Sequence, residues 1–465
     1  MKVLFSVLRP TVLKNFESVV RLLSARGHEV DLVVHSRLKD PKLGDLVPSL
    51  AAEPGVSLVK PPGEPPDDRA VRWTAAVRSS LDYLRFLEPR FVPEQVNRLN
   101  GVPRGTRRAA ALPWFRGPAG RSVLRKALMA ADRVVPTSRE LVRYVERREP
   151  DVVLFTPYVE RRGEPRPVDA VQPELLRAAR RAGKPNVVCV ASWDHLTLKS
   201  SIWPQPDRVF VWNETQRREA HELHGVPLER VVVTGAQCYD EWFTWQARPR
   251  GEFCSRVGLD PDRPYLLYTC LVTPRSGPSE VDFVFRWIDA LRSDDDPLVG
   301  RVGVLVRPHP GRTENWRDVD VSRFGNAVVF PRDHGFPTDA EEKSDYFDSI
   351  YHSGAVVGLN TSAMLEAGLI GRPVLAIVPP EFRKLQMDRP HFRYLLDVAG
   401  GLVHTAESLD EHVALVRRAL GPDGATWCRT GAAFVEEFLR PRGLDAEVTP
   451  IFVDEIERLV SRAAA

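Results

Sequence analysis

Short apolar runs alternate with helix-length segments along nearly the whole chain, and that rhythm limits the fold more than any other feature. Residues 2–8 (KVLFSVL) read as a buried strand. Residues 15–26 have helical period, with Phe16, Val19, Val20 and Leu23 on one face, and Gly27 ends them before a second strand at 29–35. A strand, a helix and a strand in succession start a parallel sheet with right-handed crossovers. The pattern returns in strands at 151–157, 186–192, 208–213 and 230–235, with helices at 172–182 and up to His224. It restarts with strands at 264–270, 301–308, 326–331, 355–360 and 373–378, and with helices at 280–292, 345–353 and 362–370. Residues 450–462 form an amphipathic helix on Ile451, Val453, Ile456, Leu459 and Val460.

The expectation is an α/β protein of two tandem doubly wound, Rossmann-like parallel-sheet domains facing across a cleft. Residues 1–245 form the first, with a helical basic insertion at about 60–135. A Gly- and Pro-containing linker spans 246–264, the second domain 265–440, and 441–465 cross back to the first domain. A chain of 465 residues has room for two or three domains. The apolar start stops at Arg9, too short for a signal-peptide core, and no apolar run approaches the ~18 residues of a membrane helix. The five cysteines lie no closer than 16 positions apart, which leaves no C-x-x-C pair and no dense disulfide framework. A reducing cytoplasm is the expected compartment.

Charge is uneven. Residues 69–148 hold 18 Arg or Lys against 6 Asp or Glu, an excess of 12, so the net +3 leaves the remainder at −9. Abundant arginine throughout the chain gives a bland reading. A functional one is a surface for an anionic partner: a phosphorylated acceptor, or lipid head groups at the inner membrane face. Nucleic acid is not expected, because no aromatic-interleaved stacking motif accompanies the charge.

Ligands of doubly wound sheets bind at the carboxyl ends of strands, near the point where strand order reverses. Four strand-tip segments stand out. In 358–377 (GLNTSAMLEAGLIGRPVLAI), Thr361 or Ser362 caps a helix whose free amides suit a phosphate. Glu366, one turn on from Ser362, suits ribose hydroxyls. The bland alternative is a capped crossover helix with a solvated glutamate. Arg307-Pro308-His309-Pro310 follows a strand; the prolines stiffen the loop, and His309 and Arg307 can bind an anion. In 192–200 (SWDHLTLKS), Asp194 or His195 offers a general base, against a simple Asx turn at Asp194. In 270–280, Thr273, Arg275 and Ser276 could cradle a second anion before a helix start. Asp294-Asp295-Asp296 and Asp318-Val319-Asp320 lack the context of a metal-holding pair, HELH at 221–224 is not H-E-x-x-H, and no metal site is expected. No Walker loop, G-x-S-x-G or G-x-G-x-x-G occurs, which argues against P-loop NTPases, α/β-hydrolases and ordinary dehydrogenases.

These segments resemble GT-B glycosyltransferases. Within that fold the chain is similar to the group around bacterial CDP-glycerol glycerophosphotransferases and other surface-polysaccharide transferases. The likeness is carried by the first strand–helix–strand, by SWDHLTLKS with RVFVWNE and RVVVTGAQCYD, by the RPHP turn and by NTSAMLEAGLIGRPVL. It implies a second domain that holds a nucleotide-sugar or CDP-polyol donor. Ser362, Thr361 and His309 would meet the donor phosphates, with Arg307 and Arg275 adding charge, and Glu366 the ribose. The acceptor hydroxyl, on an anionic or lipid-linked carrier among other readings, would enter from the first domain beside Asp194 and His195. No cofactor and no metal are implied. A non-hydrolysing nucleotide-sugar 2-epimerase shares the fold and the C-terminal pattern, and a non-catalytic nucleotide-sugar binder in an envelope-polymer complex is a further alternative.

Overall fold

The computed structural model describes residues 1–35, 46–63, 69–91, 102–158, 167–272, 277–333, 336–337 and 339–464. They divide into two units, one of residues 1–39, 47–238 and 446–465, the other of 239–445 with 40–46. Among the described residues no helix is long and apolar enough to cross a membrane.

The first unit is built on a seven-stranded sheet: β1 (Lys2–Val7), β2 (Glu29–Val34), β3 (Val56–Val59), β4 (Val152–Thr156), β5 (Asn186–Cys189), β6 (Arg208–Val211) and β7 (Val231–Val233). Their order is β3-β2-β1-β4-β5-β6-β7 and every pairing is parallel. The apolar runs explain this arrangement. Strands buried on both faces need helices above and below, and β4 and β5 are buried along their whole length. The helix Glu17–Ala25 buries Val19, Val20 and Leu23, the face its period predicts. Phe16 lies edge-on to Phe5 and to Phe452, at centroid distances of 5.5 and 6.0 Å, and Phe452 reaches Phe210 at 5.0 Å. The last helix, Val448–Ala464, therefore completes this core, although 200 residues of the other unit precede it.

The insertion is helical, with segments Arg69–Phe86, Arg104–Ala111, Pro113–Arg116, Pro118–Arg133 and Arg139–Arg148; β3 precedes it and was not apparent in the sequence. Its basic surplus is only partly on the surface. Arg78 and Arg85 are buried. Arg85 donates to the Leu196 and Lys199 carbonyls, and Arg177 is paired with the buried Asp132, which also accepts from Trp203 Nε1 at 2.5 Å. A buried ion that lost such partners would cost several kcal/mol, roughly 3–5, so these contacts fix the insertion to the sheet layer.

The second unit has a six-stranded parallel sheet in the order β10-β9-β8-β11-β12-β13. The strands are β8 (Tyr265–Thr269), β9 (Gly303–Arg307), β10 (Ala327–Val329), β11 (Ala355–Gly358), β12 (Val374–Ile377) and β13 (Val403–Ala406). Chain order reverses between β8 and β11, which places the switch point there. Phe283, Trp287, Ile288 and Leu291 of the helix Glu280–Arg292 bury against the sheet, and Ser279 caps that helix at the Asp282 amide. Residues 246–264, expected as a linker, contain the helix Arg250–Val257; its Phe253 packs on Tyr265 and His352, and the second unit takes in everything from Tyr239 to Asp445.

Candidate functional site

At the switch point of the second unit three strand ends lie in register. Thr269 stands opposite Arg307 on one side and Gly358 on the other. Gly358 permits that approach: a Cβ there would lie 2.7 Å from Thr269 Oγ1 and 3.1 Å from its carbonyl oxygen. Thr269 Oγ1 is in turn 3.3 Å from Thr361 Oγ1, so two hydroxyls meet where β8 and β11 end.

Thr361 and Ser362 lead into the helix Ala363–Ile370, whose end Gly371 closes in the left-handed region at φ 77. The expected side-chain cap does not form. Ser362 has φ −64 and ψ −21, already helical, and its exposed hydroxyl makes no capping bond. The reason is local: Met364 N bonds the Thr361 carbonyl, and Leu365 N and Glu366 N bond the Ser362 carbonyl, so the backbone itself winds the first turn. The earlier amides keep no helical acceptor, and the start of the helix carries a partial positive charge.

Arg307 ends β9 and is 9% exposed. Its Cζ lies 4.6 Å over the Tyr346 ring, and its Nη1 has no hydrogen-bond partner among the described residues. Burial pulls its pKa down, opposed by Tyr346, Asp345 and Glu366. Asp345 is taken by Arg248 and Arg256. Glu366, expected to face ribose, accepts a hydrogen bond from the Tyr346 hydroxyl. A carboxylate has two oxygens and about four lone-pair sites, so this bond and a ribose contact are compatible. His309 accepts the Gly311 amide at Nδ1, 2.9 Å away. A neutral ring with Nδ1 accepting carries its proton on Nε2, which makes His309 a donor, as an anion requires. Thr273, Arg275 and Ser276 lie outside the described residues.

Two groups at this end of the sheet escaped the sequence. Glu280 is 6% exposed and accepts from Leu271 N at 3.0 Å and Tyr268 Oη at 3.2 Å; burial pushes its carboxyl up to about 8. In sequence it is an ordinary first-turn glutamate after a capping serine, and only its own burial sets it apart. Tyr346 was equally silent, since its partners are 39 residues before it (Arg307) and 20 after it (Glu366).

In the first unit Asp194 and His195 follow β5 as expected. Asp194 Oδ1 accepts from Ser192 Oγ at 2.6 Å, and His195 Nδ1 accepts the Ala191 amide at 3.4 Å. The loop is held by Asn15 Nδ2 on the Ala191 carbonyl and Gln216 Nε2 on the Ser192 carbonyl. A neutral His195 in this arrangement carries its proton on Nε2, and Asp194 keeps a second carboxylate oxygen for a further donor. Among the described residues no three of His, Cys, Asp or Glu are grouped as metal ligands.

No family profile and no curated protein sequence matches the chain. Solved structures do. A UDP-GlcNAc 2-epimerase from Neisseria meningitidis, bound to UDP-GlcNAc, aligns with a TM-score of 0.52 at 12% identity over 98% of this chain and 100% of that one. A UDP-GlcNAc 2-epimerase from Methanocaldococcus jannaschii, in complex with UDP-GlcNAc and UDP, gives 0.52 at 10% identity over 98% and 99%. A glycosyltransferase from Rickettsia africae gives 0.53 at 9% identity over 99% and 98%. The shared feature is the fold: two Rossmann-like parallel-sheet units of the GT-B type.

Proposed function

We propose that the chain is a GT-B transferase that moves a sugar or polyol phosphate from a nucleotide-activated donor to a hydroxyl acceptor, in cell-surface polysaccharide or glycoconjugate synthesis. The observation that carries this reading is Arg307: a buried guanidinium whose Nη1 has no partner among the described residues, in register with Thr269 at the switch point. An unmet buried donor at a strand tip is the feature a donor phosphate satisfies. Ser362 and the helix start behind it, the Thr361 hydroxyl and His309 Nε2 supply further donors, and Glu366 takes the ribose. The two epimerases named above bind UDP-GlcNAc, one of them also UDP, which agrees with a nucleotide-sugar donor.

In the reaction the acceptor oxygen bonds to the anomeric carbon while that carbon's bond to the donor diphosphate breaks. With a CDP-polyol donor the attacked atom is phosphorus and the leaving group is the nucleoside monophosphate. Asp194 takes the acceptor proton. Negative charge grows on the leaving phosphate, where fixed donors lower the barrier most. An anionic carrier fits the basic helices of the first unit, whose Leu112, Trp114 and Val123 are 51%, 87% and 61% exposed beside Arg108, Arg116 and Lys126. Salt-reversible co-sedimentation with acidic vesicles tests that peripheral contact.

The donor assignment is tested by calorimetry with UDP and CDP on native protein and on a Ser362→Ala, His309→Ala double variant. A loss of at least about tenfold, 1.4 kcal/mol, is expected in the variant. Equal affinity in both proteins refutes it. Donor turnover without any acceptor would replace the transferase with an epimerase.

A further inference from the structure

The first unit contains a cavity of about 400 Å³ that none of the chemistry above uses. It opens between the end of the helix Arg69–Phe86, one face of the helix Pro118–Arg133, and Glu222 at the end of a third helix. Four arginines (85, 90, 121 and 125) line it against two glutamates (88 and 222), an excess of two positive charges. Both glutamates are claimed by one arginine: Arg90 lies 3.3 Å from Glu88 and 2.8 Å from Glu222. Arg90 and Glu222 form the outer rim, with side chains 39% and 46% exposed.

The inner wall is different. Arg85 is 2% exposed; its Nη2 lies 3.5 Å from Asp82, while its Nε has no hydrogen-bond partner among the described residues. Among the described residues neither Arg121 nor Arg125 makes an ion pair; Arg121 donates to the Arg116 carbonyl at 2.9 Å. The Arg125 guanidinium lies against Gly225, where a Cβ would come within 2.9 Å of its Nη2. Burial holds the Arg125 pKa down and the nearby Arg85 charge adds to that effect, opposed by Glu88 and Asp82. Arg121, Ser122 and Arg125 recur at helical spacing, so one face of a 16-residue helix presents all three to the cavity, near the helix end where the dipole is positive. Three guanidiniums, of Arg85, Arg121 and Arg125, thus line one cavity, and planar guanidiniums match phosphate oxygens two at a time.

We propose that this cavity is a binding site for a phosphate ester or diphosphate, held by Arg121, Arg125 and Arg85 with the Ser122 hydroxyl. The volume suits a phosphorylated small molecule or the head group of a phospholipid. The site lies wholly within the first unit and does not rest on the donor assignment in the second.

Calorimetry of the full chain with pyrophosphate, and co-sedimentation with phosphatidylcholine vesicles containing phosphatidic acid, separate the two sources of phosphate. Saturable binding is expected in at least one arm. An Arg121→Gln, Arg125→Gln double variant should weaken it tenfold or more and leave the far-ultraviolet dichroism unchanged. Arg85 is left intact because it also bonds two backbone carbonyls. Native crystals soaked in tungstate give a readout that needs no variant: an anomalous peak is expected against Arg121 and Arg125. Absence of binding in both arms, or binding of equal strength in a folded double variant, or a tungstate soak that leaves the cavity without a peak, would overturn the proposal. UDP binding that persists in the Arg121→Gln, Arg125→Gln variant while pyrophosphate binding falls belongs to the other unit, so failure of the donor assignment and failure of this proposal are read separately.

Discussion

At the scale of single residues, burial in the second unit moves a few ionisable groups, Glu280 and Arg307 among them, away from their ordinary states, and that has measurable consequences. Glu280 titrates near 8 in the fold, against 4.5 for an ordinary glutamate. Folded protein therefore holds a proton that the unfolded chain releases. The sign follows: this group's contribution is complete below about pH 4.5 and is lost as pH rises towards 8. The slope is at most about 1.4 kcal/mol per pH unit. Glu280→Gln keeps an acceptor for Leu271 N and does not titrate. Its melting temperature should gain on that of the native protein steadily from pH 5 to 8, and a constant difference would show that Glu280 is ionised throughout. Glu366 gives a second prediction. If one of its oxygens serves Tyr346 and the other the ribose, native protein should prefer UDP over 2′,3′-dideoxy-UDP by roughly tenfold, the worth of a charged hydrogen bond. Glu366→Ala should erase that preference, read by competition calorimetry.

At the scale of elements, the site depends on how closely two strand tips approach. Gly358→Ala would push a methyl into Thr269 at 2.7 Å. Since part of that contact is backbone, the expected cost is about 1–3 kcal/mol in a denaturant melt, with nucleotide affinity falling as Thr269 and Thr361 part. The sequence made the elements around this point legible. The strands 264–270, 301–308 and 355–360 and the helices 280–292 and 362–370 were all visible, because a buried parallel strand is a continuous apolar run and a crossover helix has a period of its own. What it could not reveal were contacts between distant elements. The Ser362 cap was inferred from residue type, and backbone bonds to the Thr361 and Ser362 carbonyls took its place. Tyr346 and Glu280 look like any helical tyrosine and any first-turn glutamate until tertiary packing buries them. β3 and β13 are only four residues each, too short and too mixed to carry a pattern, with Ser57, His404 and Thr405 among their residues. The arginine excess of the insertion admits a surface for an anionic partner or mere arginine abundance, yet Arg78 and Arg85 are interior ions held by carboxylates and carbonyls. Composition counts charges and is blind to which of them find partners.

At the scale of the whole molecule, the order of the chain and the order of its units disagree. The first unit is not finished when its sheet is complete, because Ala446–Ala465 belong to it as well. Val453 and Ile456 of the last helix have no exposed surface, Phe452 is 1% exposed between Phe16 and Phe210, and Arg26 is paired with Asp454 and Glu457. The buried aromatic dominates: removing such a ring from a core costs about 3–5 kcal/mol, while exposed ion pairs contribute 1 kcal/mol at most. Phe452→Ala should therefore destabilise the first unit by roughly that amount, and Arg26→Ala by far less. Ending the chain at Asp445 removes the entire face at once. Hydrogen exchange followed by mass spectrometry distinguishes the units: amides of β1 and β6 should lose protection in the truncated chain, while those of β8, β9 and β11 keep it. Uniform loss across both sheets would mean that the units fold as one cooperative body; unchanged protection in β1 and β6 would mean that the helix contributes nothing to the core it covers. The expected outcome follows from Phe452, the one ring that touches both Phe16, beside β1, and Phe210, within β6.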